Sequence, residues 1–110
     1  MYRISKRFEV AGSHKLNLDY ESKCKNLHGH NWIITVYCQA EELDRNGMVI
    51  DFKEIKQKVS NKIDHQNMND LFSFNPTAEN IAKWIYDTVP FCYRVTVQES
   101  EGNTAEYEEV

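Results

Sequence analysis

Hydrophobic residues repeat with two different periods along this chain of 110 residues, and the order of the two periods restricts its fold. Strict alternation of apolar and polar residues predicts a β-strand, whereas apolar residues three, four and seven positions apart predict a helix. Alternation dominates near both ends of the chain, and the helical spacing dominates its middle. The sequence predicts strands at 2–14, 28–40, 91–99 and 104–109, and helices at 52–63 and 78–88.

Local signals support these elements. One strand contains a run of β-branched and aromatic residues, which is typical of strands: Trp32-Ile33-Ile34-Thr35-Val36-Tyr37. The strand at 91–99 depends on the alternation of Phe91, Tyr93, Val95 and Val97. Asp51 and Thr77 precede the two helical segments and are expected to be their N-caps. The polar segments 15–27 and 64–76 are expected to be connecting loops.

The resulting order, β-β-α-α-β-β, predicts an α+β fold with an antiparallel sheet and both helices on one of its faces. The length fits one domain over 1–110. Four strands leave two sheet edges that need protection. Association of subunits edge to edge into a closed barrel would provide it.

Composition excludes several classes of function. Lys and Arg number 13 against 17 Asp and Glu, so the net charge of −4 disfavours a nucleic-acid-binding surface. No apolar run approaches the roughly 20 residues that span a bilayer, and no signal-peptide pattern is seen. Three widely spaced cysteines disfavour a disulfide framework and favour a reducing compartment. We therefore expect a cytoplasmic protein that acts on neither membranes nor nucleic acid.

Three of the four histidines lie in the first thirty residues. His28 and His30 open a predicted strand, and alternation places both imidazoles on one face. If the first two strands pair as a hairpin, His14 meets them. Three imidazoles with an open fourth position are typical of a catalytic zinc site. The alternative is that these are ordinary surface or core histidines.

Cys24 precedes His28 by four residues and lies in a polar segment, where a free thiol is unusual. The flanking Lys23 and Lys25 would favour a thiolate that can move protons on a metal-bound substrate. Alternatively, Cys24 is a fourth zinc ligand or an incidental thiol. Cys38 and Cys92 fall within predicted strands and are expected to be small buried hydrophobic residues.

Two further groups are candidates for site chemistry. In Asp64-His65, the carboxylate can orient the imidazole and raise its basicity. The alternative for His65 is a favourable position at a helix C-terminus. Glu99 ends the third long strand and could accept paired hydrogen bonds from an amidine-like ring edge, although most such glutamates are only solvated.

Together these residues resemble the 6-pyruvoyltetrahydropterin synthase and 6-carboxytetrahydropterin synthase family. The resemblance covers nearly the whole chain, and its motifs occur in the family's order. They are F-E-V-A-G-S-H at 8–14, C-K-N-L-H-G-H-N-W at 24–32, G-M-V-I-D-F at 47–52, D-H-Q-N-M-N at 64–69, N-P-T-A-E-N at 75–80, V-Q-E at 97–99 and A-E-Y at 105–107.

The resemblance implies a tunnelling fold (T-fold), in which subunits form a trimeric barrel, two trimers usually stack as a hexamer, and the active site lies between subunits. It also implies site roles. The zinc ligands are His14, His28 and His30. The catalytic residues are Cys24, Asp64 and His65. Glu99 binds the amino-pyrimidine edge of the pterin, and Thr77 lies in the segment that lines the pterin pocket. The segment Ser100–Asn103 departs from the family's usual turn.

The implied substrate is 7,8-dihydroneopterin triphosphate. We expect the branch that forms 6-carboxy-5,6,7,8-tetrahydropterin with release of acetaldehyde and triphosphate, because the chain is compact. That lyase reaction feeds queuosine and 7-deazaguanine synthesis. The alternatives are the 6-pyruvoyl branch, which feeds tetrahydrobiopterin, a non-catalytic zinc- and pterin-binding module, and a structural zinc protein.

Overall fold

The computed structural model describes residues 1–109, which form a five-stranded sheet with helices on one face. The strands are β1 (Tyr2–His14), β2 (His28–Ala40), β3 (Gln66–Asn67), β4 (Cys92–Ser100) and β5 (Asn103–Glu108). Their order across the sheet is β3-β1-β2-β4-β5, and only β3 runs parallel to its neighbour. The helices are α1 (Phe52–Lys58), α2 (Ser60–Ile63), α3 (Met68–Leu71) and α4 (Ala78–Thr88), and Lys23–Lys25 form a single 3₁₀ turn.

The core lies between the helices and one face of the sheet. Along each strand every second side chain points inward. Val10 of β1, Trp32 of β2 and Val95 of β4 are buried in this way on three neighbouring strands. The helices complete the core with residues at helical spacing: Ile55, Ile63, Ile81, Ala82 and Ile85. The predicted α+β architecture with both helical segments on one face is therefore confirmed. No helix within 1–109 is long and apolar enough to cross a membrane.

The helix predicted at 52–63 has the expected extent but is interrupted at Val59, whose ψ of −76° departs from helical geometry. The Ser60 hydroxyl donates to the carbonyl of Lys56, four residues earlier, at 3.3 Å. This kind of back-bonding competes with the backbone ladder and bends helices. Asp51 caps the first helix by accepting from the backbone N–H of Lys53 at 2.9 Å, as expected of an N-cap residue.

The segment 64–76, predicted to be a loop, contains the short strand β3 and the helix α3. Polar side chains of this segment form hydrogen bonds with the backbone of the segment 15–27, which the folded chain brings close. The Asn69 amide both accepts from the N–H of Lys15 at 2.8 Å and donates to its carbonyl at 2.9 Å. Asn75 makes the same reciprocal pair with Asn17 at 2.9 and 3.0 Å. The two segments predicted as loops therefore fasten each other.

The strand predicted at 91–99 begins one residue later, at Cys92, and the predicted alternation fails at its start. Phe91 has a φ of 65° and is 59% exposed. The β2–β4 register shifts there, because Tyr37 faces Arg94 whereas Cys38 faces Cys92. Tyr93 is thus the extra residue of a β-bulge, a feature that sequence alternation does not show.

Candidate metal centre

Backbone pairing brings three histidines together at one end of the sheet. In the β1–β2 register His14 faces His28, and Gly12 faces His30. The ring centroids are 4.6 Å apart for His14 and His28, 5.2 Å for His14 and His30, and 4.8 Å for His28 and His30. The hairpin expected from the sequence is therefore formed, and it is the hairpin that joins the three imidazoles.

Backbone carbonyls orient two of these imidazoles. His14 Nδ1 lies 2.7 Å from the carbonyl oxygen of Pro76, and His28 Nδ1 lies 2.7 Å from that of Asn26. A carbonyl only accepts, so in the neutral ring the proton is on Nδ1 and the lone pair is on Nε2. This is the usual way in which a protein fixes the tautomer of a metal-binding histidine.

Among the described residues, the facing nitrogens have no hydrogen-bond partner that would explain their burial. Nε2 of His14 and Nε2 of His30 are both buried and accept or donate no hydrogen bond, and His14 is 0% exposed. One nitrogen from each of His14, His28 and His30 lies within 4.8 Å of the others. Because buried polar atoms normally have partners, these residues fit a metal ion, and the three histidines can hold one.

Burial also keeps these rings in the form that binds metal. It lowers the pKa of His14 and of His30, although the Glu99 carboxylate opposes the change at both. The neighbouring His28 lowers both further. A neutral imidazole is the form that ligates a metal, so the site favours the metal over the proton at neutral pH.

Trp32 forms the floor of this cluster. Its indole centroid lies 4.9 Å from that of His14 and 5.4 Å from that of His30. The indole N–H donates to the carbonyl of Gly12 at 3.1 Å. A Cβ on Gly12 would lie 2.7 Å from Cε of Met68 and 3.3 Å from the indole nitrogen. Glycine at this position therefore lets the indole pack directly beneath the imidazoles.

Glu99, which was expected to bind the pterin, also lies close to the imidazoles. Its carboxylate oxygens are 3.4 Å from Nε2 of His30 and 3.8 Å from Nε2 of His14, and the side chain is 25% exposed. The same residue lines a depression of about 370 Å³ between the start of α4 and the β4–β5 turn. Glu99 thus separates the histidine cluster from an adjoining open space.

A backbone hydrogen bond holds Cys24 close to the residues that follow His14. Its carbonyl accepts from the N–H of Leu16, two residues after His14, at 2.7 Å, and its own N–H donates to the Ser22 hydroxyl at 3.2 Å. Lys25, one of the lysines expected to favour a thiolate, forms an ion pair with Glu21 at 3.3 Å. Within 1–109 the group of mutually close metal-binding atoms contains the imidazoles but not this thiol, which disfavours a closed four-ligand site.

Asp64 and His65 are not part of the histidine cluster. Asp64 accepts from the N–H of Ala11 at 2.9 Å, and the backbone N–H of His65 donates to the Ala11 carbonyl at 2.7 Å. These bonds hold both residues at the edge of β1 that faces away from β2. The His65 side chain is 83% exposed, and its Nε2 lies 3.8 Å from the carboxylate of Asp64. It borders a depression of about 460 Å³ that is also lined by residues of β1 and β2, His30 among them.

Thr77 caps α4, since its hydroxyl accepts from the N–H of Asn80 at 3.1 Å. It follows Pro76, whose carbonyl orients His14. Sequence reasoning missed the roles of Pro76, Asn26 and Trp32. The only signal for them is the N-P-T motif and the position of the other two residues next to the H-G-H motif.

The fold and this site define a class of protein: an α+β domain that presents three histidines, able to hold a metal ion, at one end of an antiparallel sheet. The family model for 6-pyruvoyl tetrahydropterin synthase matches residues 3–110. The chain belongs to this family, and the expected resemblance is confirmed.

Individual relatives agree with this membership. A 6-carboxy-5,6,7,8-tetrahydropterin synthase of Synechocystis sp. is 35% identical, over 97% of this chain and 93% of the relative. One from Bacillus subtilis is 27% identical, over 96% and 84%. The 6-pyruvoyl tetrahydropterin synthase structure from Caenorhabditis elegans superposes with a TM-score of 0.78 at 24% identity, covering 99% of this chain and 96% of that one. The fold expected for a single T-fold subunit is therefore confirmed.

Proposed function

We propose that this chain, over 1–110, is a single pterin synthase domain that catalyses a zinc-dependent lyase reaction. Its substrate is 7,8-dihydroneopterin triphosphate, and its products are 6-carboxy-5,6,7,8-tetrahydropterin, acetaldehyde and triphosphate. The observation that carries this proposal is the three-histidine cluster, in which two buried Nε2 atoms make no hydrogen bond to any residue within 1–109. The similarity to relatives named 6-carboxy-5,6,7,8-tetrahydropterin synthase supports the choice of product. This product would serve queuosine and 7-deazaguanine synthesis in the cytoplasm.

His14, His28 and His30 would hold the metal ion through their Nε2 atoms. Three imidazoles that leave a position free for substrate suit zinc in a catalytic site. When bound there, zinc supplies Lewis acidity that makes the side-chain hydroxyls of the substrate more acidic. The chain's own contribution is rigidity: the carbonyls of Pro76 and Asn26 keep two of the rings in the ligating tautomer.

Cys24 and His65 are the proposed groups that move protons. Cys24 acts at the histidine cluster of its own chain, since its backbone is held beside the residues that follow His14. His65 is exposed at a sheet edge, and Asp64, whose carboxylate lies 3.8 Å from Nε2, would orient its ring. We propose that this pair serves the site of a neighbouring subunit.

Such sharing requires an oligomer, and the sheet has edges that suit one. Among the strands that the structure describes, β3 alone pairs with the outer edge of β1, and it covers only Gly12 and Ser13. No strand within 1–109 covers the outer edge of β5. Exposed edges of this kind favour pairing between chains. We propose a homotrimeric barrel and, by stacking of two trimers, a homohexamer.

Glu99 is the proposed anchor of the pterin. A carboxylate can accept two parallel hydrogen bonds from the amino-pyrimidine edge, and Glu99 lies at the boundary between the imidazoles and the depression near Ala78. Thr77, next to Pro76, would line the same space. The atypical Ser100–Asn103 turn, in which Asn103 donates to the Ser100 hydroxyl at 2.9 Å, forms its rim.

The test is to incubate zinc-loaded protein with 7,8-dihydroneopterin triphosphate, to identify the pterin by mass and to assay acetaldehyde. A 6-carboxy product together with acetaldehyde is the expected result. A 6-pyruvoyl product without acetaldehyde would assign the chain to the other branch, which a Dictyostelium discoideum relative named 6-pyruvoyl tetrahydrobiopterin synthase, 29% identical, favours. Tight pterin binding without any product would indicate a non-catalytic binding module, the alternative that the unusual Ser100–Asn103 turn suggests.

A further inference from the structure

Two thiols face each other at the end of the sheet that lies away from the histidines. Cys38 is near the last residue of β2, whereas His28 and His30 open that strand. Cys38 pairs directly with Cys92, near the start of β4, in the antiparallel register. The two thiols are also in contact with each other, and opposite residues on regular antiparallel strands have Cα atoms about 4.5–5.5 Å apart. Disulfides span Cα separations of about 4.4–6.8 Å, so the backbone needs little movement to allow a bond.

The β-bulge at Tyr93 creates this juxtaposition. In the register that joins Tyr37 to Arg94, regular pairing would place Tyr93 opposite Cys38 and leave Cys92 one position out of step. Because the bulge inserts one residue, Cys92 takes the inward position and packs against the core beside Cys38. Tyr93 turns instead to the outer face, where its ring lies 6.2 Å from that of Tyr37 and near the guanidinium of Arg3.

The two thiols differ in solvent exposure and in pKa, as a reactive pair requires. Cys92 is partly exposed, and its Sγ lies 3.5 Å from the carbonyl oxygen of Arg94. Contacts with Cys38 and with nearby backbone lower the pKa of Cys92. Cys38 is 0% exposed, and its contact with Cys92 together with burial raises its pKa. Cys92 is therefore the thiol that a reagent reaches and that ionises first.

We propose that Cys38 and Cys92 are a redox-active pair that closes reversibly to an intramolecular disulfide across β2 and β4. The oxidant is a small-molecule disulfide such as oxidised glutathione. The Cys92 thiolate attacks one sulfur, forms a mixed disulfide and releases one glutathione thiolate, which takes up the Cys92 proton. The Cys38 sulfur then attacks Cys92 Sγ, and the second glutathione leaves with the Cys38 proton. Two protein thiols are oxidised, and one glutathione disulfide is reduced to two thiols.

Closure would tie the strand pair together where its ladder is irregular. The backbone N–H of Gln39 donates to the carbonyl of Phe91 at 3.0 Å, just outside the bulge. Phe91 has a positive φ, which is uncommon for a residue with a bulky side chain. A covalent link at this point would restrain the end of β2 and the entry to β4. The pair is remote from the proposed catalytic groups, so it is independent of the proposed function.

The experiment compares two single variants of the full chain, each of which retains two thiols. Cys24→Ser keeps Cys38 and Cys92, whereas the matched control Cys92→Ala keeps Cys24 and Cys38. Each is incubated with a series of reduced and oxidised glutathione mixtures, quenched with acid and measured by intact mass under denaturing conditions. Peptide mapping without reductant identifies the linked residues.

The expected result is that Cys24→Ser loses two hydrogens, with a peptide linking Cys38 to Cys92, and recovers its mass in excess reduced glutathione. Cys92→Ala should show no internal disulfide. The proposal is overturned if Cys24→Ser stays reduced in fully oxidised glutathione, stops at a stable glutathione adduct or forms only disulfides between chains. It is also overturned if Cys92→Ala closes a Cys24–Cys38 bond as readily. Cobalt binding at the histidines checks that both variants are folded.

Discussion

Substitution of Gly12 by alanine tests whether the floor of the histidine cluster is as tightly packed as the structure indicates. The added Cβ would lie 2.7 Å from Cε of Met68 and 3.3 Å from the indole nitrogen of Trp32. The methionine methyl ends a flexible side chain and can move away. The indole cannot move as easily, because its N–H is bonded to the Gly12 carbonyl at 3.1 Å. The contact with the indole therefore decides the cost.

Overpacking of a core typically costs about 1–3 kcal/mol. Replacing glycine by alanine at a compatible backbone position returns about 0.4–1 kcal/mol by restricting the unfolded chain. We expect Gly12→Ala to lower the free energy of unfolding by a net amount on the order of 1–2 kcal/mol. It should also weaken metal binding, because the displaced indole lies against His14 and His30.

Gly29→Ala is the matched control. Gly29 lies in the same strand pair, facing Ser13, but a Cβ there would meet only the Gly12 carbonyl at 3.9 Å. Urea unfolding of the metal-free variants, followed by tryptophan fluorescence, measures stability, and titration with cobalt measures metal affinity. We expect Gly29→Ala to match or slightly exceed the unsubstituted protein in stability. Equal unfolding midpoints for the two variants would refute the packing argument.

Three further outcomes are expected. Cys24→Ala should retain one zinc per chain, measured by elemental analysis, and lose turnover; turnover at the unsubstituted rate would remove Cys24 from the proposed mechanism. Because burial lowers the pKa of His14 and His30, the unfolded chain binds more protons between about pH 6.5 and the lowered pKa values of the folded chain. As the pH decreases through this range, the free energy of unfolding of the metal-free protein should therefore fall, by up to about 1.4 kcal/mol per pH unit for each of the two imidazoles. Urea melts that show no pH dependence would contradict this. Glu99→Gln should retain the metal but bind pterin more weakly, as measured by calorimetry, and an unchanged pterin affinity would argue against Glu99 as the anchor.

The elements that were predicted well are those whose signal is local. Alternation along 2–14 and 28–40 matches β1 and β2 at both ends, and the helical spacing at 78–88 matches α4. The capping roles of Asp51 and Thr77 were also predicted, because an N-cap hydrogen bond joins residues only two or three positions apart. In such segments the local preference and the tertiary environment favour the same structure.

Predictions failed where the partner of a residue is distant in the chain. The segment 64–76 was expected to be a loop, yet Asn69 bonds to Lys15, 54 positions away. The bulge at Tyr93 depends on how β4 meets β2, and its own sequence continues the alternation through Tyr93 and Val95. Cys92 was accordingly predicted to be an ordinary buried residue, and its pairing with Cys38 was not foreseen.

The candidate site divides in the same way. The sequence by itself determined which residues could form a metal site, because H-G-H on a strand places two imidazoles on one face and a hairpin can add His14. Only the tertiary structure decided that Nε2 of His14 is buried without a hydrogen bond to the described residues, that Pro76 orients its ring and that Glu99 lies 3.4 Å from His30. The physical reason is that side-chain direction follows from the local period of the backbone. Burial, tautomer and charge instead depend on atoms that the chain brings back from more than sixty residues away.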